Sequence, residues 1–239
     1  TSTPSGPLHA LLLRIDDAVR RLAERAAPRG LLDGQGGVAL FHAYHYRLTG
    51  DDAQLERLHQ GLAQLVDALA HERPGPSLCS GLAGIAWCIQ HLIDEGFVDA
   101  PSADHVLGGV DAALADAMVA ALADQRHDLL HEGLGIAVYF LARLPDPAAR
   151  AHLERAVAQL AATAARAGDA IRWQDHFTRS DGAHAAPTYN LGLAHGTPAI
   201  IAVLAGCHAR GVATAHTAPL LRGATRWLRA ALWGAFLIR

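Results

Sequence analysis

This chain lacks a strong excess of charge of either sign. Twenty Lys and Arg stand against 23 Asp and Glu, for a net charge of −3. That balance excludes nucleic acid and an anionic membrane surface as the expected partners. Cysteine is scarce as well, with only Cys79, Cys88 and Cys207. Three thiols cannot build a disulfide framework, and no signal peptide is recognised ahead of them, so a reducing cytoplasm is the expected compartment. The longest clean apolar run, Ala230 to Ile238 with Gly234 inside it, is too short to cross a bilayer. There is no Gly-x-Gly-x-x-Gly, no phosphate loop and no nucleophile elbow. β-Branched residues are sparse and alternation is nearly absent, which argues against a large sheet.

What remains is rich in Ala and Leu. Apolar residues make up 51 % of the chain and charged residues 18 %, enough to bury a core. The composition predicts an all-α protein. Four segments align on a glycine turn: Leu31 to Val38, Leu78 to Ile85, Leu129 to Ile136 and Leu193 to Ile200. Counted between Gly37, Gly84, Gly135 and Ala199, they recur after 47, 51 and 64 residues. An almost wholly apolar run follows each turn. Amphipathic stripes lie between them: Leu55, Leu58, Leu62, Leu65, Val66 and Leu69; then Val106, Leu107, Val110, Leu114, Ala117 and Leu122; then Leu153, Ala156, Val157, Leu160 and Ala164. Asp51 or Asp52, and Asp146 before Pro147, suit helix N-caps.

The unit is therefore a glycine turn, an apolar inner helix and an amphipathic return helix, repeated as helical hairpins. Paired glycines at a helix start admit a close neighbouring backbone and permit positive φ. The inner-helix N-termini would then favour anionic groups. The extra length before the fourth turn is concentrated in an insertion at 168–190, which holds Trp173, His176, Phe177, His184 and Tyr189. A loop of that length is read equally as functional or as a surface insertion.

Asn190-Leu191-Gly192-Leu193-Ala194-His195-Gly196 resembles the Gly-x-Ala-His-Gly signature of lanthionine synthetase C-like proteins, the lanthipeptide cyclases. The earlier glycine turns resemble that family's hairpin repeats, and Asp128-Leu129-Leu130-His131 its Asp-Leu stretch. The resemblance runs from about Leu8 to Trp227. It implies an α/α toroid, a double ring of helical hairpins, of which this chain would hold about four of seven in one partial domain over 1–239. It also implies a chemistry: peptide Cys thiols add to dehydroalanine or dehydrobutyrine, and an acid protonates the resulting enolate. His195 matches the catalytic histidine and Asp128 a second active-site position. The implied partners are a dehydrated precursor peptide and its dehydratase.

The resemblance is incomplete. The family's zinc ligands, two cysteines and a histidine, come from later Trp-Cys and Cys-His-Gly motifs that do not follow His195 here. Trp87-Cys88 lies too early. Cys207-His208 precedes Ala209, and adjacent helical side chains diverge by about 100°. No zinc is therefore expected on this chain, although the full-length family carries it. Thr1 is not Met and Arg239 follows an apolar stretch, so the chain is read as a piece of a longer protein. An open toroid edge near Arg226 to Ile238 is expected to favour self-association, and the chain alone to be inactive. Glu132 and Ala199 replace motif glycines. His42 and His45 are read as aromatic-lined packing, and Arg222, Arg226 and Arg229 as a solvated face. The competing functions are a non-catalytic peptide-binding scaffold and a glycosidase using Asp128 and Glu132.

Overall fold

The computed structural model describes residues 6–23, 30–32, 34–176 and 188–237. Among these it contains nine helices and one small hairpin: α1 (Pro7–Ala23), α2 (Gln35–Thr49), α3 (Asp52–His71), α4 (Leu82–Asp94), α5 (Ala100–Ala123), α6 (Gly133–Ala142), α7 (Pro147–Thr163), β1 (Ala165–Ala167), β2 (Ala170–Arg172), α8 (Thr197–Ala209) and α9 (Thr214–Leu237). The chain divides into two compact units, Thr1–Val110 and Asp111–Arg239.

The helix after each glycine turn is the buried one, because its apolar residues cover more than one face. In the second unit α6 and α8 pack together, with α7 on α6 and α9 on α8. Ile136, Phe140, Ile200, Val203 and Leu204 fill that core. In the first unit α2 packs on α3 and α4, and Ile85, Ile89, Leu58 and Leu65 are buried. The return helices bury one stripe each. Val66 is the exception on α3, at 38 % exposure. The caps form where expected: Asp51 Oδ1 accepts from the Ala53 N–H at 3.0 Å, and Asp146 Oδ1 from the Ala148 N–H at 2.8 Å. Each such cap contributes about 1 kcal/mol.

The turns share a bonding pattern. The Leu82 N–H donates to the Gly75 carbonyl, Gly133 to Arg126, and Thr197 to Asn190, always across seven residues. The preceding chain thus folds tightly over the helix start. A Cβ at Gly81 or Gly196 would overlap the very carbonyl, of Gly75 or Asn190, that accepts from the next residue. A Cβ at Gly84 would overlap the Leu78 carbonyl oxygen. Close approach is therefore the reason for glycine here. Positive φ is not: Gly34, Gly81 and Gly196 sit at −151°, −122° and −139°, extended geometry open to any residue. Glu132 accordingly caps α6 at φ −134° without strain. Gly133 takes over the packing demand, since a Cβ there would lie 2.8 Å from Leu122 Cγ. Ala199 is fully buried, and its N–H donates to the Gly196 carbonyl at 3.0 Å.

The 168–190 insertion differs from a plain loop. Gly168, at φ +57°, opens a two-residue turn that joins β1 to β2, with Ala165 opposite Arg172. Ile171 is buried against α9, where Gly223 leaves it room. Trp173 is buried and its Nε1–H donates to the Leu160 carbonyl at 2.9 Å. Phe177, Ser180, Asp181, Gly182, His184 and Pro187 lie outside the described residues. One helix is more apolar than the sequence runs suggested. Val106–Ala123 of α5 is long and apolar enough, by length and composition, to cross a membrane. Leu107, Leu114, Met118 and Leu122 on it are buried inside the protein.

Candidate functional site

The second unit brings its two glycine turns into contact. The Leu129 N–H donates to the Ala194 carbonyl at 3.0 Å, a bridge between the turn before α6 and the turn before α8. The first unit has a counterpart, Leu32 N–H to the Cys79 carbonyl at 2.9 Å. Cys79 and Ala194 each stand two residues before the glycine cap. The donor moves by one residue in the second unit, because Leu130's N–H is already taken by Asp128.

That bridge places residue 195 against residue 128. Asp128 is 2 % exposed. Its Oδ1 accepts from the Leu130 and His131 N–H groups, both at 2.8 Å. Its Oδ2 accepts from His195 Nδ1 in a short hydrogen bond. Both carboxylate oxygens are thus held by donors from the protein. A carboxylate on Nδ1 fixes the His195 tautomer and orients the ring. The His195 side chain is 31 % exposed, so the ring is anchored by Asp128 and partly accessible.

Two neighbours were not legible as site residues. The His131 ring is parallel to that of His195, with centroids 6.3 Å apart and planes 3° apart. Its place three residues after Asp128, within the same turn, was the available signal. His127 is buried beside Asp128, and its Nε2 has no hydrogen-bond partner among the described residues. Burial, with the nearby His176, lowers its pKa to about 4. His176 lies 6.5 Å from it, ring to ring. The neighbouring Asp175 N–H donates to the Thr188 carbonyl at 2.9 Å, which draws together the two ends of the insertion. Glu132 stands on the same turn as Asp128, its Oε2 3.4 Å from the Asp128 nitrogen, and burial raises its pKa.

The residues weighed as metal ligands go elsewhere. Cys207 is buried in α8 and burial lifts its thiol to about 11, while the adjacent His208 Nδ1 meets Thr217 Oγ1 at 3.0 Å. Cys88 is buried against the Gly36 carbonyl at 3.3 Å, with its thiol pushed up to about 12. Trp87 stacks on His91. His42 and His45 both pack on Phe41, with centroids at 5.4 Å. Among the described residues no three His, Cys, Asp or Glu side chains converge as a metal site. The donor set present thus does not fit the zinc that the resemblance implied for the full-length family. Arg222, Arg226 and Arg229 are exposed on α9, with Arg226 paired to Asp169.

Comparison with known proteins adds three findings. The sequence model of the family "Lanthionine synthetase C-like protein" matches residues 26–232. Among solved structures, nisin cyclase superposes with a TM-score of 0.67 at 17 % identity, covering 90 % of this chain and 55 % of that one. The chain therefore spans about half the length of that structure, whose α/α-toroid fold its helical hairpins share. No curated protein matches.

Proposed function

Because the chain belongs to the lanthionine synthetase C-like family, we propose that it supplies the proton-transfer part of a lanthipeptide cyclase. The observation that carries this reading is the buried Asp128 carboxylate on Nδ1 of a partly open His195 ring. In the reaction a peptide Cys sulfur forms a bond to the β-carbon of dehydroalanine or dehydrobutyrine. The C=C π pair moves toward the carbonyl as an enolate, and the α-carbon takes a proton. The thiol proton lost and the α-proton gained balance. Asp128 holds His195 Nδ1 and orients the ring, whose other nitrogen can accept a proton and return it. His195 is the catalytic residue of this reading and Asp128 its positioning partner.

The described residues do not assemble a set of zinc ligands. On this reading the chain alone does not close rings, and its partners are the dehydrated precursor peptide and the dehydratase that makes it, in the cytoplasm. The glycosidase alternative finds no support: Asp128 and Glu132 share one turn, whereas that chemistry needs carboxylates on opposite sides of a bond.

The test is incubation of the chain with a dehydrated, Cys-containing precursor, following free thiol by alkylation and mass spectrometry and the His195 ring by NMR. The expected result is a peptide-dependent shift of the His195 resonances, absent in His195→Ala, with no loss of thiol. Thioether formation by the chain alone, or one zinc bound per chain, overturns the inactive assignment. Absence of any peptide effect on His195 overturns the site.

A further inference from the structure

The first unit holds a cleft that ring closure does not use. It lies among α1, α2 and α3, has a volume of about 280 Å³, and is lined by Arg20, Gln35, His42, Arg57 and Gln64 among others. A fixed chain of hydrogen bonds runs beneath it. Asp16 is buried, and its Oδ1 accepts from Gln54 Nε2 at 3.2 Å. A carboxylate accepts only, so the Gln54 amide is oriented and its oxygen faces His42 Nδ1 at 2.7 Å. An amide oxygen also accepts only, so His42 carries its proton on Nδ1 and keeps Nε2 as an acceptor. Burial lowers the His42 pKa, which favours the neutral ring.

The cations are less fully matched than this buried chain. Arg20 Nε lies 3.3 Å from Asp16 Oδ2, and Arg57 Nη1 3.7 Å from Asp16 Oδ1. Two guanidinium groups thus share one buried carboxylate. The next carboxylate, Asp17, is paired with Arg21 and lies 3.6 Å from Arg20. Each guanidinium presents five donors, and these contacts leave several of them for a ligand. The cleft also asks for a donor. Gln35, the first residue of α2, is 9 % exposed, and its Oε1 has no hydrogen-bond partner among the described residues. A buried acceptor left unpaired is costly, so an N–H at that point is favoured. Sulfate would satisfy the arginines but offers no donor to Gln35.

We propose that this cleft binds a peptide segment bearing an acidic side chain, its carboxylate on Arg20 and Arg57 and a backbone N–H on Gln35 Oε1. The inference is independent of the chemistry at His195, and a failure of either leaves the other standing.

The experiment is an NMR titration of the isotope-labelled chain with N-acetyl-glutamate N-methylamide, its glutamine counterpart, and glutarate. The glutamate probe is expected to shift the Gln35 side-chain amide and the Arg57 Nε resonance saturably. The uncharged glutamine probe should bind at least about tenfold more weakly, because charge-assisted bonds are lost. Gln64→Glu adds a negative charge at the exposed rim and should weaken the glutamate probe by a similar factor. The His42 and Gln54 resonances, which report the intact fold, should stay in place in that variant. Equal binding of the two amide probes, an unaffected Gln64→Glu, or no saturable shift would overturn the proposal. Glutarate binding as tightly as the glutamate probe would overturn its peptide component.

Discussion

Replacing Asp128 tests whether its carboxylate holds the turn, the histidine, or both. Asp128→Ala removes the acceptor for two part-buried N–H groups, those of Leu130 and His131, and for His195 Nδ1. Hydrogen bonds to a charged group contribute about 1.5–3 kcal/mol each. Partial access of water on the His195 side softens the loss, so the variant should lose about 3–4 kcal/mol. For a chain of this length that corresponds to a Tm lower by about 6–16 °C. Asp128→Asn separates the two roles. Its side-chain oxygen still accepts from Leu130 and His131, so stability should fall by only about 1 kcal/mol. Its amide nitrogen then points at His195 and donates, which forces Nδ1 to accept and moves the ring proton to Nε2. Thermal unfolding measures the first effect and imidazole ¹⁵N shifts the second. If Asp128→Asn unfolds as readily as Asp128→Ala, the oxygen-sharing argument fails. If the His195 tautomer is unchanged in Asp128→Asn, the carboxylate does not orient the ring.

Glycine position and buried histidine yield the remaining expectations. Gly84→Ala should cost about 3 kcal/mol, because its Cβ overlaps the Leu78 carbonyl oxygen and backbone must move. Gly109→Ala on α5 meets open space and should instead gain about 0.5–1 kcal/mol in urea unfolding; equal effects of the two would refute the packing account. His127 has a folded pKa lowered from 6.5 to about 4. Its unfolded state therefore binds the proton more tightly, so its contribution is present above about pH 6.5 and is lost as pH falls toward 4. About 2 kcal/mol should disappear between pH 7 and pH 5, and His127→Leu should flatten that slope; an unchanged slope would show that the ring is not the titrating group.

The hairpin order was readable because helix formation is local. A 3.6-residue stripe and a cap such as Asp146-Pro147 lie within one or two turns of chain, so Leu153, Ala156, Val157 and Leu160 could be placed on a buried face directly. The glycine positions were readable too, but their physical reason was not. Whether Gly81 needs positive φ or room for a carbonyl depends on where Gly75 lies, and only the folded turn says so. The same holds for the β-hairpin at Gly168, a short local turn made stable by burying Ile171 under a helix some fifty residues later.

The candidate site divides along the same line. Sequence alone determined that His195 and Asp128 both fall in glycine turns, and so near the starts of two inner helices. It also determined that the cysteines are few and not spaced as a ligand set. The tertiary structure decided that the two side chains meet, because the Leu129-to-Ala194 hydrogen bond joins turns 65 residues apart. It decided that His131 stacks on His195, that His127 is buried without an Nε2 partner, and that Asp16, through Gln54, sets the tautomer of His42. Each of these depends on distance, burial and donor direction between separate elements, and periodicity along a chain carries none of the three.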